Sequence, residues 1–294
     1  MTTTSTIVVG VDGSERNHAA VLWARHEAGK KQKRLLLVAA TDGMAPLTRF
    51  FAAFTNESVE DHTRKMLNRV RDQLGADASA SEVTTLVGSG EPADVILGAA
   101  AKADMVVVGK RGIGAVKRII VGSTSITVAG RSRVPVVVVP DQWSQATQST
   151  NPIVVGVDGT SRDEPVLDFA FDRAQDQRVP LIAVYAWQLP AIYSWSSQDV
   201  EKWSSEALIE LEVRLKPWAD RYPGVELVRS HPQANAAMAL LDADMVTQLI
   251  VLGRHAGPEH LGGFAFGSTT RGVLHYSTCP IAVIPSPPAE ATTS

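Results

Sequence analysis

In the stretch VVVGKRGIGAVKRIIVGSTS, residues 106–125, three glycines keep a fixed rhythm: Gly109, two residues, Gly112, nine residues, Gly122, and then Ser123. Glycine lets a backbone take positive φ and approach a ligand with no Cβ in the way. If a helix opens at Ser123, the amides of Gly122, Ser123 and Thr124 have no intrahelical acceptor, and together with the helix dipole they make an anion site. The hydroxyls of Ser123, Thr124 and Ser125 can add hydrogen bonds. Lys110, Arg111, Lys117 and Arg118 raise the local positive potential within about a Debye length, ~8 Å at physiological salt. A polyphosphate fits this description. A single glycine would more often mark only a turn, and each basic side chain is more often a solvated charge. Phosphate fits the set of residues rather than any one of them.

Other chemistry is poorly represented. GSGEPA (88–93) imitates a dinucleotide fingerprint, but it follows the third strand rather than the first and reads as a strand-to-helix turn. The full Walker pattern and the G-x-S-x-G elbow are absent. The seven histidines lack metal-ligand spacing; His255 and His260 sit five apart in a glycine-rich loop. Cys279, the one cysteine, heads an apolar strand and reads as a small buried residue.

The elements that must position the loop occur twice. IVVGVDGSE (7–15) returns as IVVGVDGTS (153–161), and VPVVVVP (134–140) returns as CPIAVIP (279–285). Gly10 to Gly156 spans 146 residues, and Pro135 to Pro280 spans 145. Solenoid units run to only ~20–50 residues, so whole domains are duplicated. We expect a first domain over 1–141, a Ser/Thr/Gln-rich linker over 142–151 and a second domain over 152–294. Within each copy, β-branched runs alternate with helical spacing, giving five strands separated by four helices. Uniformly apolar strands such as 105–108 and 136–139 suit a parallel sheet covered on both faces, so each half is expected to be a doubly wound α/β domain. Pro217, inside the long helix of copy two, is expected to end or kink it. The aromatic-rich segment 188–203 could cover a site or pack on its own domain.

In such a sheet, ligands sit beyond the carboxyl ends of strands where the winding reverses. Asp12, at the end of strand 1, and Gly109, at the end of strand 4, would then be neighbours. Asp12 could also cap a helix beside Ser14.

Composition narrows the class. The chain is 45% hydrophobic and 20% charged, with net charge −3, which offers no global attraction to nucleic acid or anionic lipid. No apolar run approaches the ~18 residues of a membrane span, and MTTTSTIVVG lacks a secretory pattern, so a cytoplasmic location is expected.

The element order, VGVDGS at the first strand, the G-x2-G-x9-G-S spacing and the closing VPVVVVP together resemble the universal stress protein family in its tandem two-domain, ATP-binding form. The resemblance implies an adenine nucleotide alpha hydrolase-like, Rossmann-like fold and a nucleotide-dependent regulatory protein with at most slow ATP hydrolysis. Carried onto this chain, it places Asp12 and Ala39 against adenine and ribose, lets the loop close at Gly109 and Gly112, and gives the phosphates to Gly122, Ser123 and Thr124. In copy two it implies Asp158, Ala186, Gly253, Gly257, Gly267 and Ser268, although three residues rather than two separate the first glycines there. It leaves open whether Mg2+ accompanies the phosphates. It also implies pairing of the two domains and homodimerisation; the alternative is an interaction scaffold of the same fold that binds no nucleotide.

Overall fold

The structure is a computed structural model that describes residues 5–42, 58–74, 82–111, 121–144, 150–189, 196–244, 247–254 and 266–285. The chain divides into two compact units, residues 1–147 and 148–294. In the first, β1 (Thr6–Gly10), α1 (His18–Lys31), β2 (Arg34–Ala40), α2 (Val59–Gln73), β3 (Val83–Gly88), α3 (Pro92–Ala99), β4 (Met105–Gly109), α4 (Ser123–Arg131) and β5 (Val136–Val139) alternate as expected. All strands run parallel in the order β3-β2-β1-β4-β5. The winding therefore reverses between β1 and β4.

The second unit repeats this with β6 (Ile153–Gly156), α5 (Glu164–Gln177), β7 (Leu181–Val184), α6 (Ser197–Arg221), β8 (Leu227–Ser230), α7 (Ala236–Ala243), β9 (Leu249–Arg254), α8 (Ser268–Tyr276) and β10 (Ile281–Pro285). Its parallel order is β8-β7-β6-β9-β10. Strands in both units bury consecutive residues: Ile7, Val8 and Val9 of β1, Val136 to Val139 of β5, and Ile153 to Val155 of β6 are fully enclosed. Successive strand side chains point to opposite faces, so this burial requires cover on both faces and accounts for strand runs that are apolar without alternation. Among the described residues no helix is long and apolar enough to cross a membrane.

One local expectation changes and another holds. Helix α6 runs through Pro217 to Arg221 without ending there. The proline lies in the last turns, and the carbonyl it leaves without a donor belongs to Val213, whose residue is 70% exposed, so water can take the donor's place. GSGEPA is a turn as read: Pro92 opens α3, and a Cβ on Gly88 would lie 2.4 Å from Val95 Cγ1. Of segment 188–203, residues 190–195 lie outside the described residues; Trp203 is half-exposed on α6.

Asp244 ties the end of α7 to the start of β10. Its buried carboxylate accepts from Thr278 N (2.6 Å), Thr278 Oγ1 (2.8 Å), Cys279 N (3.0 Å) and Ser277 Oγ (2.9 Å). Burial alone would raise its pKa, but the hydrogen bonds from Cys279, Thr278 and Ser277 outweigh burial and hold it below the usual carboxylate value. Burial and the Asp244 charge push the Cys279 thiol well up, which suits an inert core residue. Because the folded pKa of Asp244 is depressed, its contribution is present above the unfolded value and is lost as pH falls through the folded one. Asp244→Ala is expected to destabilise the second unit by about 3 kcal/mol at pH 7 in urea unfolding. A loss below about 0.5 kcal/mol would show that these bonds add little.

Candidate functional site

At the carboxyl end of β1 the chain turns through Asp12, Gly13 and Ser14. Asp12 Oδ1 accepts from Ser14 N (2.9 Å) and Ser14 Oγ (2.7 Å), while Ser14 Oγ accepts from Asn17 N (3.3 Å) and caps the short turn before α1. Asp12 thus shapes the turn, and Ser14 does the capping. Gly13 has φ +77°, and a Cβ there would also crowd Met66 Cγ at 3.1 Å. Both reasons demand glycine.

Buried Asn17 joins this turn to β4. Its Nδ2 donates to Gly10 O at 3.0 Å and lies 3.2 Å from where a Gly109 Cβ would stand. Gly109 is therefore glycine because the chain approaches closely, and its φ is not positive. The far side of the loop is clamped to the same strand end. Gly122 N donates to Lys110 O (2.8 Å), Lys110 N donates to Val139 O (2.7 Å) and Ser125 Oγ donates to Gly109 O (2.6 Å). The Ser125 hydroxyl, expected to face a ligand, is instead engaged in this clamp.

Gly122 is the N-cap of α4, with φ −64° and ψ 148° and no side-chain cap. A Cβ there would meet Lys110 O and Ser125 Oγ at 3.7 Å and Arg111 Cα at 3.9 Å, all ordinary contacts. Among the described residues, neither backbone conformation nor packing demands glycine at this position. Ser123 is exposed and Thr124 half-buried at the open first turn. Ala39 is buried at the end of β2, one residue past the Gly10–Val38 register. Gly112, Lys117 and Arg118 lie outside the described residues.

The second unit builds the same frame with different side chains. Asp158 Oδ1 accepts from Thr160 N (2.8 Å) and Thr160 Oγ1 (2.7 Å), Gly159 has φ +80°, and Thr270 Oγ1 donates to Gly253 O at 3.1 Å. Gly267 caps α8 at φ −65° with open space around a would-be Cβ, and exposed Ser268 follows. Gly257, His255, His260 and Glu259 lie outside the described residues. Ala186 is not the counterpart of Ala39. Gly10 pairs with Val38 and Gly156 with Val184, so the position matching Ala39 is Tyr185. A shift of one residue turns a strand side chain to the other face.

Charge separates the two sites. Where the first unit has neutral Asn17, the second has Asp163, 1% exposed, accepting from Asp158 N (3.2 Å) and Gly159 N (2.9 Å). Burial, and then the charge of Asp158, push the Asp163 carboxyl up to about 7. Where Met66 packs on Gly13, Glu210 packs on Gly159 and accepts from Tyr185 OH at 2.9 Å. Burial, and then Glu210, push the Tyr185 hydroxyl up to about 12. Arg214 on α6 donates to Gly159 O. A cleft of about 670 Å³ opens beside this turn, with Gly159, Glu164, Asp168, Glu210 and Arg214 on its walls. The first unit has an apolar wall at its turn, and the second a charged one.

Glycine spacing does not reveal Asn17, Asp163 or Thr270 as site residues, and it offers Ser125 as a ligand hydroxyl rather than as the clamp on Gly109 O. The repeat offset could have paired them, since Asn17 and Asp163 are 146 residues apart and Ser125 and Thr270 are 145 apart.

The family model described as the universal stress protein family matches residues 3–140 and again 150–285. A universal stress protein of Mycolicibacterium smegmatis is 32% identical over 287 residues, covering 95% of this chain and 96% of its own. One of Mycobacterium tuberculosis is 30% identical over 284 residues, covering 94% and 96%. Among solved structures, a universal stress protein of Archaeoglobus fulgidus superposes with TM-score 0.67 at 16% identity, over 96% of this chain and 99% of its own. A protein of Pseudomonas aeruginosa of unknown function superposes with TM-score 0.70 at 15% identity, over 97% and 93%.

Proposed function

Since the chain belongs to the universal stress protein family, with two such domains in tandem, we propose that it is an ATP-binding regulatory protein. The first domain takes the nucleotide beyond the ends of β1 and β4, with adenine and ribose near Asp12 and Ala39. The triphosphate meets the open first turn of α4 at the Ser123 and Thr124 amides; the Gly122 amide is already bonded to Lys110 O, so Gly122 contributes its bare Cα, with Gly109 and Gly112 bounding the loop. The second domain holds a weaker site at Asp158, Gly253, Gly257, Gly267 and Ser268, with Tyr185 rather than Ala186 on the β7 side.

The observation that carries this reading is the bare N-cap. Among the described residues nothing in φ or packing requires glycine at 122, which supports a role for the missing Cβ in letting a ligand approach. A helix end with unsatisfied N–H groups and no side-chain cap favours an anion. Mg2+ would reach the site with phosphate oxygens, so its contribution is measured as a difference in ATP affinity with and without the ion. Binding would stabilise the loop and α4 and change the surface a partner reads, by no more than the differential affinity of the two states for ATP.

Acid extraction of the purified chain followed by chromatography is expected to release adenine nucleotide. Added ATP is expected to increase hydrogen-exchange protection of residues 121–125. No nucleotide in the extract together with no binding of added ATP would replace this reading with that of an interaction scaffold.

A further inference from the structure

Three polar side-chain atoms at the exits of β4 and β5 are buried with no hydrogen-bond partner: Arg111 Nε, Asp141 Oδ1 and Trp143 Nε1. Such atoms are rare and call for an acceptor or donor from outside the fold. Arg111 and Asp141 leave adjacent strands, since Gly109 pairs with Val139. Arg111 Nη1 stands 3.9 Å from Asp141 Oδ2, and each side chain is 25% exposed. A well-made arginine–carboxylate pair has two parallel N–H···O bonds near ~2.8 Å. Here Nε is buried while the guanidinium as a whole is only loosely paired.

The same arginine stands at the mouth of the proposed phosphate cradle. Its Cα is 3.9 Å from where a Gly122 Cβ would be, and its carbonyl oxygen is 3.2 Å from where a Gly109 Cβ would be. Resting on the nucleotide reading above, we infer that Asp141 restrains Arg111 in the ligand-free domain and that phosphate displaces it. Arg111 then distinguishes a nucleoside triphosphate from its nucleoside. Asp141 offers one charge in a loose, partly solvated contact that contributes little. A triphosphate offers several, on oxygens spaced for the guanidinium fork. The exchange also supplies an acceptor for the orphaned Nε. In the second domain Ser286 follows Pro285 where Asp141 follows Pro140, and His255 stands where Arg111 does, so this competition belongs to the first domain.

Calorimetry on the full chain with ATP and with adenosine tests the inference. Asp141→Asn is expected to tighten ATP about 3- to 10-fold at one site and leave adenosine unchanged. Arg111→Gln is expected to loosen ATP about 10-fold with adenosine unchanged, and the double variant should match Arg111→Gln alone. Asp141→Ser, which installs the second domain's residue, carries the same test should Asp141→Asn not fold. Unchanged or weaker ATP binding in the Asp141 variants, or an equal shift for adenosine, overturns the roles of Asp141 and Arg111. Wild-type protein that binds neither ligand overturns the nucleotide reading, and this inference with it.

Discussion

Gly122→Asp is expected to abolish ATP binding at the first domain while leaving that domain at least as stable as before. At an N-cap with φ −64° and ψ 148°, aspartate needs no backbone adjustment, and the nearest atoms to its Cβ would be 3.7 Å away. Its carboxylate would accept from the first-turn amides and complement the helix dipole, a gain of about 0.3–1 kcal/mol over glycine. The same carboxylate would occupy the proposed phosphate position and repel a polyanion, so affinity should fall by at least ~100-fold, about 2.7 kcal/mol. Gly122→Ala adds the Cβ without the charge and should weaken ATP about 10-fold. Melting without nucleotide and titration with ATP read the two effects separately. A Gly122→Asp protein that binds ATP like wild type places the phosphates elsewhere. One destabilised by more than about 1 kcal/mol gives the glycine a folding role instead. Gly267→Asp is the matching test of the second domain, where nothing lies within 4 Å of the added atom.

The opposite signs of these effects show which part of the molecule the sequence states openly. Hydrophobic period and duplication specify the fold, because a strand buried on both faces must be apolar throughout, as at Val136 to Val139. The topological switch follows from element order alone, and it puts Asp12 and Gly109 beyond neighbouring strand ends. The reasons for individual glycines are less visible. Gly13 and Gly159 need positive φ, Gly109 yields to Asn17, and among the described residues nothing requires glycine at 122 or 267. Spacing treats all of them alike. The side chains that clamp the frame, Ser125 and Thr270, look like ligand hydroxyls in a sequence because only their rotamers reveal the carbonyls they serve. Strand register misleads in the same way: placing Ala186 opposite Ala39 errs by one residue, which is enough to hide Tyr185 and its Glu210 partner. The difference in charge between the two domains is legible only once the repeats are laid over one another position by position.

That difference predicts a pH-dependent second domain. Asp163 is held at about 7 by burial and then by the charge of Asp158, against the pull of the Asp158 and Gly159 amides. Tyr185, Glu210 and Arg214 also face this turn, and Glu164, Asp168 and Arg221 line the cleft beside it. A carboxyl whose folded pKa exceeds its unfolded value binds more protons when folded, so acid favours the folded state. Its contribution is full below about pH 4 and declines as the pH rises through 7, by up to ~4 kcal/mol in total. Asn17 shows the alternative at the same place in the repeat, a neutral amide whose Nδ2 donates to the strand carbonyl Gly10 O. Asp163→Asn should therefore stabilise the second domain by about 1–3 kcal/mol at pH 8.5 and flatten its stability between pH 5 and 8.5. The added negative charge beside Asp158 also opposes a polyanion, so the same variant should tighten ATP at the second site above pH 7 and change it little at pH 5. Denaturation and titration at the two pH values measure both consequences. A wild-type second domain whose stability rises from pH 5 to 8.5, or an Asp163→Asn protein less stable than wild type at pH 8.5, would mean that the amides outweigh burial and keep the carboxyl ionised already at pH 5.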